Sequence, residues 1–213
     1  MKKRPYRLGR REEAAEETRR RIVAATFALH NEQGVVATSM KQIAERAEVS
    51  VGTVYHHFPT YGDAVNACGQ HAMAYAPLPT PAALDGADTT AERIGRTTAA
   101  VFAFYERLPA FARVRCDRDK VPELEPFMAG EEANRVALVQ AALRGTGAGR
   151  AQTAAAVAVL DVAVYQALRR AGLSAGAATD AIAHMILASL ATAGARTEDN
   201  QPERPAVGAG GGL

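Results

Sequence analysis

Apolar residues recur at helical spacing along almost the whole of this 213-residue chain. Over 17–33, Ile22, Val23, Thr26, Leu29 and His30 share one side and Gly34 follows as a C-cap, which predicts an amphipathic helix. Met40, Ile43, Ala44 and Ala47 share a second apolar face, leaving Lys41, Gln42, Glu45 and Arg46 outside. Ser39 and Gln42 stand at capping-box spacing, so that helix starts near Met40. Val49 is a lone apolar residue suited to plug a turn. Ser50 then caps a short helix that buries Val54 and Phe58, four apart. Pro59 ends it, and Thr60 with Asp63 caps another helix over 60–75.

The Pro-rich stretch 77–81 breaks the pattern. Helices are predicted over 90–107, with Ile94, Val101, Phe102 and Tyr105 on one side, then over 110–116 and 125–143. Between the last two lies a charged corner at 117–120, and 145–149 is a Gly-rich loop without a phosphate-binding ending. Two Ala-rich helices follow, over 150–171 and 174–195, hinged at 172–174. The first presents Val157, Leu160, Val164 and Leu168; the second presents Ile182, Met185, Ile186, Leu187 and Leu190. No segment alternates with a two-residue period, so the expected fold class is all-α.

The short helix after Ser50 is unusual in what it leaves exposed: Val51, Gly52, Thr53, Tyr55, His56 and His57. A helix that displays hydroxyls, a phenol and imidazoles, braced by the helix before it, suits the reading of a DNA major groove. Gly52 costs that helix roughly 1 kcal/mol relative to Ala, and its missing side chain lets a phosphate or base edge approach. Tyr55 alone also fits a half-buried core aromatic. His56 and His57 point about 100° apart and do not converge on a metal, which a helix binds at i, i+4 spacing. No metal site or cofactor is expected.

These residues resemble the TetR family of one-component transcriptional repressors. The likeness runs through 21–29, 32–34, Thr38-Ser39, Ile43-Ala44, Val49-Ser50, the stretch 52–58, and Thr60 with Asp63. It is specific over 17–76. The resemblance implies a helix-turn-helix at 39–58 whose operator contacts map onto Ser39 and Lys41, then Ser50, Val51, Gly52, Thr53, Tyr55, His56 and His57. Thr53 and Tyr55 are the expected phosphate partners; Lys41, Val51, Gly52 and His56 face base edges. Two departures stand out. Tyr61 occupies a position where the family carries Lys or Arg against phosphate, and keeps a hydroxyl but no charge. His30 replaces the usual aromatic at the end of the first helix.

On this reading the chain divides into a basic, unstructured arm (1–16), a DNA-binding domain (17–76), a helical ligand-binding and dimerisation domain (77–195) and an unstructured tail (196–213). Charge supports it: residues 1–60 hold 11 Lys/Arg against 7 Asp/Glu, and the remainder 14 against 16. Lys2, Lys3, Arg4, Arg7, Arg10 and Arg11 crowd the arm, which could follow a minor groove or be a solvated tail. The last two helices are apolar on two faces each, which one monomer of this size cannot bury; a four-helix bundle between two copies is expected. The family resemblance implies a small-molecule cavity among the central helices, whose occupation changes the spacing of the two DNA heads and releases a homodimeric repressor from a palindromic double-stranded DNA operator. Candidate lining residues are His71, Phe102, Tyr105, Phe111, Arg113, Phe127, Asp161 and Tyr165, although aromatics at this spacing are core by default. Asp161 interrupts an apolar helix and needs a partner if buried, for which Arg113 or Arg115 is available.

The two cysteines, Cys68 and Cys116, make no disulfide framework. The basic N-terminus is not followed by an apolar core of the signal-peptide kind, and no apolar run reaches the roughly 18 residues of a membrane span. A cytoplasmic protein without a membrane partner is expected. The rival reading is an enzyme that pairs Cys68 with His71, three residues apart on a helix; another is a ligand-independent DNA-binding protein.

Overall fold

The computed structural model describes residues 5–198, which form ten α-helices, three short 3-10 turns and no strand. The first four helices build a head: α1 (Pro5–Gln33), α2 (Met40–Ala47), α3 (Val51–His57) and α4 (Tyr61–Tyr75). The caps set their starts. Ser39 accepts the Gln42 N–H while the Gln42 side chain accepts the Ser39 N–H, and Thr60 and Asp63 repeat the exchange at α4. Ser50 accepts the Thr53 N–H to start α3. Ile22, Ile43, Val54 and Phe58 close the head core, each contributing roughly 1.5–3 kcal/mol by burial. Between α2 and α3 the chain turns through Glu48, whose φ of 54° is left-handed and strained for a residue with a side chain. The Glu48 N–H satisfies carbonyls at the end of α2, and Val49 is half-buried in the angle.

The body comprises α5 (Thr90–Arg107), α6 (Phe111–Cys116), α7 (Glu125–Ala142), α8 (Arg150–Val159), α9 (Val162–Arg170) and α10 (Ala175–Glu198). Helix α5 is central, with α10, α7 and α9 packed around it. Its faces bury Ile94, Val101, Phe102, Phe104 and Tyr105 against Leu138, Leu160 and Ile182. This body core is a separate cluster from that of the head, and Tyr61 touches both.

Three elements differ from expectation. Helix α1 begins at Pro5, not at 17, so most of the stretch expected as an unstructured arm is helical. Proline suits a first helical position, and the Arg, Glu and Ala residues that follow are strong helix formers. Tyr6 and Leu8 stand two apart and no larger apolar residue follows before Ile22, so the stretch has no helical apolar period to betray it. The side chains of Lys2, Lys3, Arg4, Arg7 and Arg10 lie outside the described residues, as does the tail beyond Glu198. The helix expected over 150–171 is two helices bent by 51°. Asp161 causes the break: its own backbone is extended and its carboxylate accepts the Ala163 N–H at 2.8 Å, capping α9. Finally, α10 runs to Glu198, past the expected end. Among the described residues no single helix is long and apolar enough to cross a membrane.

Candidate nucleic-acid interface and its junction with the body

Helix α3 presents Val51, Gly52, Tyr55 and His56 on one exposed side, while Val54 is buried beneath. Tyr55 is 50% exposed and Val51 39%, large values for side chains of this size on a capped, well-anchored helix. Thr53 is half-buried with its hydroxyl 2.8 Å from Ser50 Oγ. A Cβ at Gly52 would meet nothing nearer than 3.7 Å, so nothing within the chain requires glycine there. Lys41 is exposed on α2 beside Glu45 at 3.8 Å, and Ser39 is exposed with its hydroxyl engaged in the cap. The His56 and His57 rings stand edge to face, 5.4 Å apart. Partial burial, His56 and Arg19 hold His57 below the usual imidazole range. Among the described residues no three His, Cys, Asp or Glu side chains are grouped to hold a metal.

The surface rests on a clamped frame. The Arg21 guanidinium donates to the carbonyls of Ala47 and Glu48, pinning the α2–α3 turn to α1. Arg46 makes a two-pronged pair with Glu32, both contacts at 2.7 Å. Arg19 lies 5.0 Å over the Phe58 ring.

Tyr61 does not face outward as a phosphate ligand would. Its hydroxyl donates to the Val35 carbonyl at 2.5 Å and lies 3.0 Å from His30 Nε2. The hydroxyl has one proton, already given to Val35, so His30 Nε2 must be the donor and Nδ1 the acceptor. Nδ1 stands 3.4 Å from Cys68 Sγ, whose S–H completes the run: Cys68 to His30 to Tyr61 to Val35. The two family departures are therefore partners of each other, which sequence spacing alone does not show. Burial drives the His30 imidazole down to about 4, and Asp117 only partly opposes it. Burial likewise pushes the Cys68 thiol up to about 12, so it stays protonated. Cys68 does not pair with His71, which is exposed and meets the Phe27 ring edge-on at 5.3 Å.

The body holds the head through α6. Arg113 donates to the carbonyls of Asn31 and Glu32 at the end of α1, at 2.9 and 2.6 Å. Four residues on, Asp117 accepts the N–H groups of Val35 and Val36, at 2.7 and 3.1 Å. Gly34 makes this approach possible: its φ is +92°, and a Cβ would sit 3.0 Å from Asp117 Oδ2. On α4, Gly69 receives the Phe127 ring and Gly62 the Glu123 side chain; a Cβ at either would come within 2.3 Å of them. Two glycines seven apart on one helix face were the readable mark of this contact.

The eight candidate ligand residues are not one site. Phe102, Tyr105, Phe111 and Tyr165 pack together, with Phe102 and Tyr165 centred 4.6 Å apart and Tyr105 stacked on Phe111 at 5.7 Å. Beneath them lies a buried ionic cluster. The Tyr105 hydroxyl donates to Glu131 at 2.7 Å, and Asp161 pairs with Arg115 at 2.5 Å and with Arg135 at 3.5 Å. Burial alone would raise the Asp161 carboxyl; the Ala163 N–H and the two arginines outweigh it and hold the group below the usual range. Arg113 is exposed at the junction, His71 is outside it, and Phe127 stands against α4. Phe111 and Phe127 do share a cavity, together with residues of α1 and α4 that were not among the candidate ligand residues.

A family model described as bacterial regulatory proteins, tetR family, matches residues 22–61, the stretch from the inner face of α1 to Tyr61. This stretch is similar to the DNA-binding domain of TetR-family regulators. Within this TetR-type head, 48 residues are 48% identical to the HTH-type transcriptional repressor KstR of Mycolicibacterium smegmatis. That match covers 22% of this chain, and it spans about a quarter of the relative, 24% of its length. The likeness of fold runs much further. NalD, the secondary repressor of the MexAB-OprM multidrug efflux pump in Pseudomonas aeruginosa, superimposes with a TM-score of 0.59 at 19% identity, covering 81% of this chain and 95% of that one. A linker-substituted HlyIIR mutant gives 0.62 at 13%, covering 79% and 94%. At such identities the fold alone is shared, while the side chains of the bodies differ.

Proposed function

We propose that this chain is a sequence-specific DNA-binding transcriptional regulator, acting as a homodimeric repressor that leaves a palindromic operator when a small molecule binds. The carrying observation is α3: an anchored helix that keeps Val51, Tyr55 and His56 in solvent at the tip of a TetR-type head. Residues 17–76 would act as the DNA-binding unit and 77–195 as the ligand-binding and dimerisation unit. Tyr55 and Thr53 would take phosphates, with Lys41, Val51, Gly52 and His56 at base edges. The dimer would form through the α8–α9 segment and α10, where Ala154, Ala155, Ala158 and Met185 are exposed. Two-fold pairing would set the recognition helices on half-sites about 34 Å apart. The place of action would be the cytoplasm. Repressor relatives such as KstR support the direction of control.

The test is a gel shift with DNA flanking the gene, with salt titrated. Tight binding to one palindromic fragment is expected, weakened by Tyr55→Ala roughly ten- to a hundred-fold, a loss of about 1–3 kcal/mol. Binding that is weak on every fragment, or equal for wild type and Tyr55→Ala, overturns the reading.

A further inference from the structure

Packing between head and body is incomplete at one place. A cavity of about 70 Å³ lies where α1, α4, α6 and α7 meet. Phe27 and His30 of the head form one wall, Cys68 and Met73 of α4 another, and Phe111 and Met128 of the body close it. No Lys, Arg, Asp or Glu lines it. The few polar groups in the wall are largely committed. His30 uses both ring nitrogens, Cys68 gives its proton to His30, and Asn31 Nδ2 donates to the Phe27 carbonyl at 2.7 Å. Such a wall offers mainly dispersion contacts, the Asn31 side-chain amide being its one partly uncommitted polar group, so water gains little by entering and a charged guest would be stripped of solvent without return.

Phe127 makes the space adjustable. Its ring rests directly on Gly69, where no Cβ stands in the way, and the residue is only half-buried. Outward rotation of that ring would vacate room for a ring of similar size. At about 70 Å³ the partly open cavity is roughly half the volume that accepts benzene or xenon in an engineered apolar void, so a larger guest seated in it requires that movement.

We propose that this junction cavity is a binding site for a small, uncharged, hydrocarbon-rich molecule, with Phe127 as its movable wall and α1 of the DNA-binding head as part of its lining. The site differs from the aromatic cluster around Tyr105 and Tyr165, which borders a separate solvent-open groove containing Glu106 and Arg169. Its regulatory meaning rests on the repressor reading: a guest that lifts Phe127 off Gly69 acts on α4, whose other end begins at the recognition helix.

Toluene is the probe. The chain has five methionines, and four of them report on distinct places: Met73 and Met128 in the cavity wall, Met40 in the head core and Met185 on the surface. In protein with methyl-labelled methionine, toluene should shift the Met73 and Met128 signals saturably and leave Met40 and Met185 in place. Phe127→Ala should tighten binding at least several-fold, and Ala72→Leu, which fills the space, should abolish it. Unmoved Met73 and Met128 signals in both wild type and Phe127→Ala overturn the site, and so do shifts of all methyls in proportion. A gel shift without toluene separates the two readings. Wild-type protein that ignores every DNA fragment yet binds toluene retires the repressor and keeps the cavity.

Discussion

Two buried polar assemblies in this molecule solve the same problem in opposite ways. At the junction, Cys68, His30, Tyr61 and the Val35 carbonyl form a neutral run in which each proton has one acceptor. In the body, Glu131, Arg135, Asp161 and Arg115 form an ionic cluster under Tyr105. The ionic cluster is held by charge balance, so it fails when one member is removed. The neutral run is held by the absence of charge, so it fails when a proton is added. The body is therefore expected to be sensitive to mutation there, and the junction to pH.

The largest test of that contrast is Arg135→Ala. Arg135 is 6% exposed, stands 3.2 Å from Glu131 and donates to the Val157 carbonyl at 2.9 Å. Its loss leaves the buried Glu131 carboxylate with the Tyr105 hydroxyl as its hydrogen-bond donor and Arg115 as a more distant charge, and destabilisation of about 3–5 kcal/mol is expected in urea unfolding. The double variant Arg135→Met/Glu131→Gln removes both charges and keeps an acceptor for Tyr105, so most of the loss should return. Equal instability of single and double variants would mean that shape rather than charge governs the cluster.

Next comes pH. His30 titrates near 4 in the folded chain, against 6.5 when exposed. Between these values the unfolded chain binds the proton and the folded one does not, so stability rises with pH across that window. It is fully present above 6.5 and lost as pH falls toward 4, by about 3 kcal/mol at 1.36 kcal/mol per pH unit. The difference between wild type and His30→Phe isolates this contribution from that of the carboxylates. A wild-type slope between pH 6.5 and 4 that His30→Phe leaves unchanged would refute the neutral run.

The sequence showed the head far more fully than the junction or the body. Caps and apolar spacing are local, so Ser39–Gln42, Ser50–Thr53 and Thr60–Asp63 could be read from a few neighbouring residues, and the buried faces of α2 and α3 followed. The exposed row Val51, Tyr55, His56 was legible for the same reason. The His30–Tyr61 pair joins residues 31 apart, and Asp117 reaches Val35 across 82 positions. No periodicity encodes such contacts. The early start of α1 was hidden because its first turns carry no helical apolar period, and the break at Asp161 because a cap inside an apolar run reads as an interruption rather than a start. The aromatic positions of α5 marked core, as spacing predicts, and the cavity lay instead where small residues of α4 meet the body.

The smallest expected effect bears on Tyr61, whose position in the family is a phosphate contact and whose hydroxyl here turns inward. Tyr61→Phe removes one donor to the Val35 carbonyl and the acceptor for His30 Nε2–H, a loss of about 1–2 kcal/mol in folding stability. Operator affinity and its salt dependence should change less than about two-fold, because no phosphate contact is removed. A phosphate-bound Tyr61 would give the reverse: little change in stability, with weaker binding. Measuring unfolding and operator titration on the same variant decides between them. The first outcome makes Tyr61 a strut joining α4 to the end of α1, leaving the exposed face of α3 and Lys41 to supply the grip on DNA.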